Sequence, residues 1–588
     1  MITTTLRRFS FISALCAASM LGTWYIAETI TPLLAQVPAM RNAQNRLASD
    51  IPKPINASAG VNASVSAGNA PKAVALTKQD SLNALLQLGT SINALLGEHR
   101  KTFTNSKTTF AMTVLSLSRG KELYSTNAQL ALTPASTTKL FSTFGAFDKF
   151  GTSHFVETSV LTEATEVHDG VLDGNVYLVG RGDPLLTIAD LERLADQVAQ
   201  TGVRHITGNI CGDDSFFDRV TNRREYSGDA EEVQPTAPIS ALSVQRNLIT
   251  VLVSAGPSVG SRVSVQTYPS SDAFSFDVQA AVQAPPKKMP KKRKRGAAAP
   301  RFGVSISEQY GQAGGKQRFV IRGTMAPNTT VSKLFFIEHP AFAAADMFRK
   351  RLIASGIQVD GTTTLKQSPP TVSELASVQR PITDIINVVN KKSDNFAAEH
   401  LFKMLGGSTL DNPSPEVAAK DNHTVQASIE QIQAALREYG IVTTTSSVEV
   451  HDGSGLSRRN KISPTAIVRL LDKVQDTPFS NEYFNSLAIA GLDGTLQYRM
   501  RGTTAEYNAR AKTGTHKNVS ALAGYVKTLD GERLAFSFMF NGNAVWLYKG
   551  LENKLCEILS NFSYYGSRES SPTLDSTDVE TMTGKDIN

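Results

Sequence analysis

In "LTPASTTKLFSTFGAF" (132–147) a serine and a lysine stand three positions apart where an apolar, helix-spaced run begins. Residues i and i+3 of a helix share a face, so the Ser136 hydroxyl and the Lys139 amine can touch. A hydroxyl becomes a nucleophile when a neighbouring base takes its proton. An amine serves as that base only when burial and nearby positive charge bring its pKa towards neutrality. Phe141, Phe144, Phe147 and Phe150 offer such a dry setting. Taken alone, a serine at a helix start is more often a cap, so the pair by itself decides nothing.

Two further motifs follow in order: Ser393-Asp394-Asn395 and Lys512-Thr513-Gly514. Each alone reads as a turn or a strand end. Together they supply what acyl transfer from an amide requires: an activated hydroxyl, a proton donor for the leaving amine and an oxyanion site. Ser136 is the candidate nucleophile and Lys139 its base, with Lys512 a second charge that lowers the first lysine's pKa. Ser393 would relay a proton to the leaving nitrogen, and Asn395 would hold the substrate amide and orient Lys139. Gly514 would let a substrate backbone lie against the strand edge. Thr515 would provide an oxyanion N–H beside that of Ser136, and Thr513, Thr515 and Lys512 would bind a terminal carboxylate. Ser-x-x-Lys, Ser-Asp-Asn and Lys-Thr-Gly in this order are shared by penicillin-binding proteins and class A β-lactamases.

The periodicities say which elements hold these groups. A helix is expected around 81–99, and a hairpin over "TTFAMTVLSLSRGKELYSTN", whose apolar residues on both faces require cover on both sides. A buried helix follows Ser136. "PITDIINVVNKKSDNFAAEHLFKMLGG" reads as two helices broken at "KKSDN", which puts Ser393 and Asn395 on a loop that can reach across a cleft. "SPTAIVRLLDKVQ" is another helix. "AKTGTHKNVSALAGYVKTLDGERLAFSFMFN" gives three strands, the last two joined at Asp530-Gly531.

At 588 residues, 41% hydrophobic and 19% charged, the chain is globular in composition and long enough for about two to four domains. Its net charge of +7 is concentrated in part in "KKMPKKRKR" (Lys287 to Arg295). The N-terminus has two arginines, an apolar stretch from Phe9 to about Leu21, and small residues at Ala35 and Ala39, the layout of a signal peptide. A retained anchor is the competing reading. Glu28 interrupts the apolar run before the roughly 20 residues a spanning helix needs. Export makes a nucleic-acid role for the basic run unattractive. It is read as a solvated loop, with peripheral contact to anionic envelope polymers as the alternative. Only Cys16, Cys211 and Cys556 occur, so there is no disulfide framework. Nine scattered histidines make no His-x-x-x-His pair, and no phosphate loop or dinucleotide fingerprint stands in context, so neither metal nor cofactor is expected.

With "LVGRGDPLL" (178–186), "APISALSVQRN" (237–247), "DGSGLSRRN" (452–460), "AGLDGTL" (490–496) and "AGYV" (523–526), the chain resembles the low-molecular-mass class C penicillin-binding proteins. These form the D-alanyl-D-alanine carboxypeptidase/endopeptidase family of the penicillin-binding protein 4 type. The long gap between Ser136 and Ser393 fits that family, which houses inserted domains there, and not the class A β-lactamases. The resemblance implies an α/β (α+β) fold: a serine β-lactamase/transpeptidase-like catalytic domain, its antiparallel sheet flanked by helices, interrupted by a β-rich insertion of two nested domains. The expected division is a signal peptide (1–39), a flexible linker (40–78), the catalytic domain (79–155 and 375–566), the insertion (156–374, with a basic low-complexity loop at 284–300) and a disordered tail (567–588).

The resemblance also implies an acyl-enzyme on Ser136 formed with peptidoglycan stem peptides ending in D-Ala-D-Ala, cleavage of D-Ala to diaminopimelate cross-links, covalent inhibition by β-lactams, and a periplasmic or envelope location. In relatives an insertion aspartate and an arginine near "DGSGLS" help recognise the stem, and Asp213 and Arg458 best match them. His516 and Lys517 depart from the small or apolar residue often found after the Lys-Thr-Gly-Thr run. Two alternatives stay open: a β-lactamase or serine esterase on the same fold, which would need a water-activating carboxylate that cannot be assigned, and a catalytically weak envelope-binding protein.

Overall fold

The structure, a computed structural model, describes residues 78–285, 303–309, 316–407 and 423–565. The expected signal peptide, linker, basic loop and tail lie outside the described residues, apart from Lys78 and positions 284–285.

A six-stranded antiparallel sheet carries the site. Its strands are β1 (Thr109–Ser116), β2 (Lys121–Thr126), β3 (Ala488–Ile489), β4 (Arg510–His516), β5 (Val519–Lys527) and β6 (Arg533–Asn541), in the spatial order β3-β4-β5-β6-β1-β2. Side chains of a strand alternate between faces, and β6 shows why this sheet must be covered twice. Leu534, Phe536, Phe538 and Phe540 enter one core, while Ala535 and Met539 enter the other.

Helices α1 (Lys78–Glu98) and α7 (Val545–Ser560) cover the phenylalanine face. The opposite face is covered by α2 (Lys139–Phe150), α3 (Ile382–Lys391), α4 (Asn395–Gly406), α5 (His423–Glu438) and α6 (Pro464–Val474). The phenylalanine spacing after Ser136 works as expected. Phe144 and Phe147 are fully buried and pack on Phe479, and Phe141 joins the same core.

The chain leaves this unit along the strand Phe155–Thr162 and returns along Ser373–Pro381, and these two strands pair antiparallel. They belong to a five-stranded sheet, which is joined by three three-stranded sheets around a separate core. This segment is not only β-structure: the helices Ile188–Gln200 and Pro340–Ala354 pack on its sheets. The first begins at a Thr187 cap. Its side chain accepts from Asp190 N, and Asp190 answers to Thr187 N, a capping box.

Candidate active site

Ser136 lies in a single 3₁₀ turn (Ala135–Thr138) that runs directly into α2, and its hydroxyl is not a cap. Instead, Lys139 Nζ donates to Ser136 Oγ at 2.9 Å. The same ammonium donates to Asn395 Oδ1 at 2.8 Å and to the Ser454 carbonyl at 2.5 Å. Across the cleft, Lys512 Nζ donates to Ser393 Oγ at 2.6 Å and to the Thr513 carbonyl at 2.9 Å. Two hydroxyl–ammonium pairs from three distant segments therefore meet, with Asn395 touching the first.

Burial governs both lysines. Lys139 is fully buried, and desolvation brings its pKa down to about 8, with the Asp452, Glu399 and Asp394 carboxylates pulling the other way. At neutral pH a useful fraction is then the free amine a general base must be. Lys512 is also fully buried, and its pKa is pushed well down by desolvation and then by the Lys139 charge. An ammonium acid strengthened this way gives up a proton readily, which suits a relay through Ser393 to a leaving nitrogen.

Backbone geometry keeps the groups in place. Ser393 sits between α3 and α4 at φ 57°, a left-handed conformation uncommon for a residue other than glycine. Asp394 caps α4 by accepting from Ala397 N at 2.8 Å, and it also pairs with Arg246, which reaches in from the insertion at the end of "APISALSVQRN". The nucleophile turn has φ 49° at Ala135 and is pressed from two sides. A Cβ on Gly455 would lie 2.0 Å from the Ala135 carbonyl oxygen, and one on Gly514 would lie 2.5 Å from that of Pro134. Gly514 thus admits the nucleophile turn itself, where a substrate backbone had been expected.

Gly455→Ala should therefore disturb both the fold and the site. The backbone on both sides must shift, at a cost of about 1–3 kcal/mol for overpacking, and Ser136 moves with it. A lower melting temperature with a slower acylation rate is the expected outcome. An unchanged rate would show that the turn tolerates displacement.

Thr513 is half-buried and donates to Thr495 Oγ1 at 2.9 Å, and Thr515 is exposed at the strand edge. His516 Nε2 lies 2.8 Å from the Gly455 carbonyl, so that nitrogen carries the proton, and burial pushes the ring's pKa down. Arg458 is exposed and close enough for its charge to lower the His516 pKa further. Asp213 is engaged elsewhere. It is buried, and its carboxylate accepts from Ser215 N, Ser368 N and Ser368 Oγ at 3.0, 2.8 and 2.9 Å. These bonds come from neighbouring chain of the insertion, and none of them reaches the cluster. Asp214 is likewise taken, by Ser240 Oγ at 2.7 Å.

Two contacts to the cluster had no sequence-level assignment. The Ser454 carbonyl, third acceptor of Lys139, lies within "DGSGLSRRN", where backbone atoms carry no residue-type signal. Asn395 Nδ2 donates to Gln234 Oε1 at 3.3 Å, from an exposed segment of the insertion. Among the described residues no group of His, Cys, Asp and Glu side chains could hold a metal ion, and no helix is long and apolar enough to cross a membrane.

Residues 96–561 match the D-Ala-D-Ala carboxypeptidase 3 (S13) family. The chain is 31% identical over 444 residues to a D-alanyl-D-alanine carboxypeptidase of Actinomadura sp. (strain R39), covering 73% of this chain and 77% of that one. It is 25% identical over 423 residues to the D-alanyl-D-alanine carboxypeptidase DacB of Haemophilus influenzae, covering 71% and 82%. Among solved structures, penicillin-binding protein 4 from Haemophilus influenzae superposes with a TM-score of 0.59 at 23% identity, covering 76% of this chain and 97% of that one. A second structure of that protein, complexed with a novel β-lactam, gives 0.58 at 22% identity, covering 79% and 99%. These superpositions establish the shared fold.

Proposed function

The chain belongs to the D-Ala-D-Ala carboxypeptidase 3 (S13) family, and we propose that it removes the terminal D-alanine from peptidoglycan stem peptides through an acyl-enzyme on Ser136. The observation that carries this reading is the double pairing Lys139–Ser136 at 2.9 Å and Lys512–Ser393 at 2.6 Å, with Asn395 bonded to the first lysine.

In the acylation step, the free amine of Lys139 takes the Ser136 proton while Oγ attacks the carbonyl of the penultimate D-alanine. The oxyanion that forms faces the backbone N–H groups of Ser136 and Thr515. Losing one such donor typically costs ~3 kcal/mol of transition-state stabilisation. The C–N bond then breaks, and the departing amine receives a proton from Ser393, which is resupplied by Lys512. Free D-alanine leaves, the proton that Lys139 took passes to Lys512 so that both return to their starting states, and water later attacks the ester with Lys139 again the base. Thr513, Thr515 and Lys512 receive the terminal carboxylate, and Arg458 lies along the path of the stem.

The same chemistry applies to a D-Ala to diaminopimelate cross-link, so endopeptidase activity is part of the reading, as is acylation by β-lactams. Residues 79–155 and 375–566 act as the catalytic unit, with 156–374 inserted, and the N-terminal leader directs the chain to the cell envelope.

Incubation with a stem pentapeptide, a cross-linked peptide dimer and penicillin tests this directly. D-alanine release from the pentapeptide, with a long-lived penicillin adduct, is the expected result. Rapid penicillin turnover without D-alanine release would favour a β-lactamase. An adduct with no peptide cleavage would favour a binding protein.

A further inference from the structure

Helix α4 does more than begin with Asn395. At positions i+4 and i+8 from Asn395 the same face presents Glu399 and Lys403, and both are fully buried. Asn395 accepts from Lys139. One turn deeper, Glu399 Oε1 accepts from Ser454 N at 2.8 Å, and Oε2 accepts from Gly453 N at 3.2 Å and from the Tyr226 hydroxyl at 2.8 Å. The Ser454 residue gripped through its N–H is the one whose carbonyl accepts from Lys139 at 2.5 Å. A further turn down, Lys403 Nζ donates to Asp218 Oδ1 and the Val220 carbonyl, both at 2.7 Å. A buried carboxylate thus stands directly behind a backbone acceptor of the candidate general base.

We propose that Glu399 is a positioning residue for Lys139: it holds the 453–454 backbone so that the Ser454 carbonyl meets the amine, and its negative charge sets the pH at which that amine becomes a base. This rests on the reading of Lys139 as the base for Ser136.

The surrounding charges give Glu399 its role. Of the other two carboxylates that act on Lys139, Asp394 pairs with Arg246, and Asp452 is held by Arg223 Nη1 at 3.1 Å, by Asn460 Nδ2 at 2.7 Å, and by the backbone N–H groups of Gly455 and Ser457. Arg223 is shared with Asp229 at 2.7 Å. Lys403 has Asp218 as its counter-ion. Among the described residues Glu399 makes no ion-pair contact and accepts from three neutral donors, so its charge is left to act on its surroundings. Burial raises the pKa of Glu399, as does Asp452, while Arg223 and the hydrogen bonds from Ser454 and Tyr226 oppose them. Where Glu399 is ionised, it stabilises protonated Lys139. Removing that charge therefore makes Lys139 a free amine at lower pH.

The test is the pH profile of the β-lactam acylation rate constant in wild type, Glu399→Gln and Tyr226→Phe. Glutamine keeps the shape and an acceptor for Ser454 N while deleting the charge. The acid limb of the profile should move down by about one pH unit, the order expected for one charge at this range in a protein interior. Tyr226→Phe removes one donor to the carboxylate and so favours its neutral form, and the limb should move in the same direction by less. It also supplies the decisive profile if Glu399→Gln does not fold. A lower rate with an unmoved acid limb would overturn the proposal and leave Glu399 a purely structural residue. Wild type that forms no adduct at all would instead sink the functional reading on which it rests.

Discussion

Replacing Ser136 with alanine is expected to abolish D-alanine release from a stem pentapeptide, a loss on the order of 10⁶-fold in turnover, with the fold intact. Ser393 faces the cleft but is committed to Lys512 at 2.6 Å, on the leaving-group side of the proposed reaction. The alanine variant costs little in folding because Ser136 is only half-buried, and Lys139 keeps Asn395 and the Ser454 carbonyl as acceptors. Thermal unfolding would separate the two effects: an unchanged melting temperature beside lost turnover marks a chemical role. Turnover that survives above a tenth of wild type would remove Ser136 from the mechanism.

Lys139→Met should be nearly as damaging, through the base and not the nucleophile. Methionine matches much of the buried aliphatic stem and carries no proton acceptor of comparable strength. General-base assistance contributes about 10²–10⁴-fold, so acylation should slow by that range and lose its pH dependence. In wild type the direction of the dependence follows from the depressed pKa. Below about 8 Lys139 is mostly protonated, so acylation should rise with pH and level off above that value. A variant that keeps the wild-type rise would mean that the titrating group lies elsewhere.

How much of this could be read from the residues alone depended on the kind of signal. The three motifs were readable because the chemistry demands side chains, and side chains are what a sequence records. Ser136, Lys139, Ser393, Asn395 and Lys512 do converge in the structure, and α2, α3, α4, α6 and strands β4 to β6 lie where period and turn signals put them. Glu399 was visible as the acid four residues after Asn395, but helix spacing alone does not tell a buried carboxylate from a solvated one.

The Ser454 carbonyl and the approach of Gly455 to Ala135 were not readable, because each depends on where a backbone group of 454–455 lands against a partner more than three hundred residues away. Asp213 shows the opposite failure. A carboxylate in a Gly-Asp-Asp turn looks available in sequence, yet here its lone pairs close the turn onto Ser215 and Ser368. The helices of the insertion were missed for another reason. The Gly and Asp turns around them dominate the local pattern, and Pro340–Ala354 is so alanine-rich that no polar face marks its period.

The most direct measurement is peptide mapping by mass spectrometry after treatment with penicillin, on wild type and Ser136→Ala in parallel. The drug's mass should appear on the wild-type peptide bearing Ser136, as an ester, and nowhere on the alanine variant. An adduct on any other residue, or one that persists in the variant, would contradict the assignment of Ser136 as the acylated group.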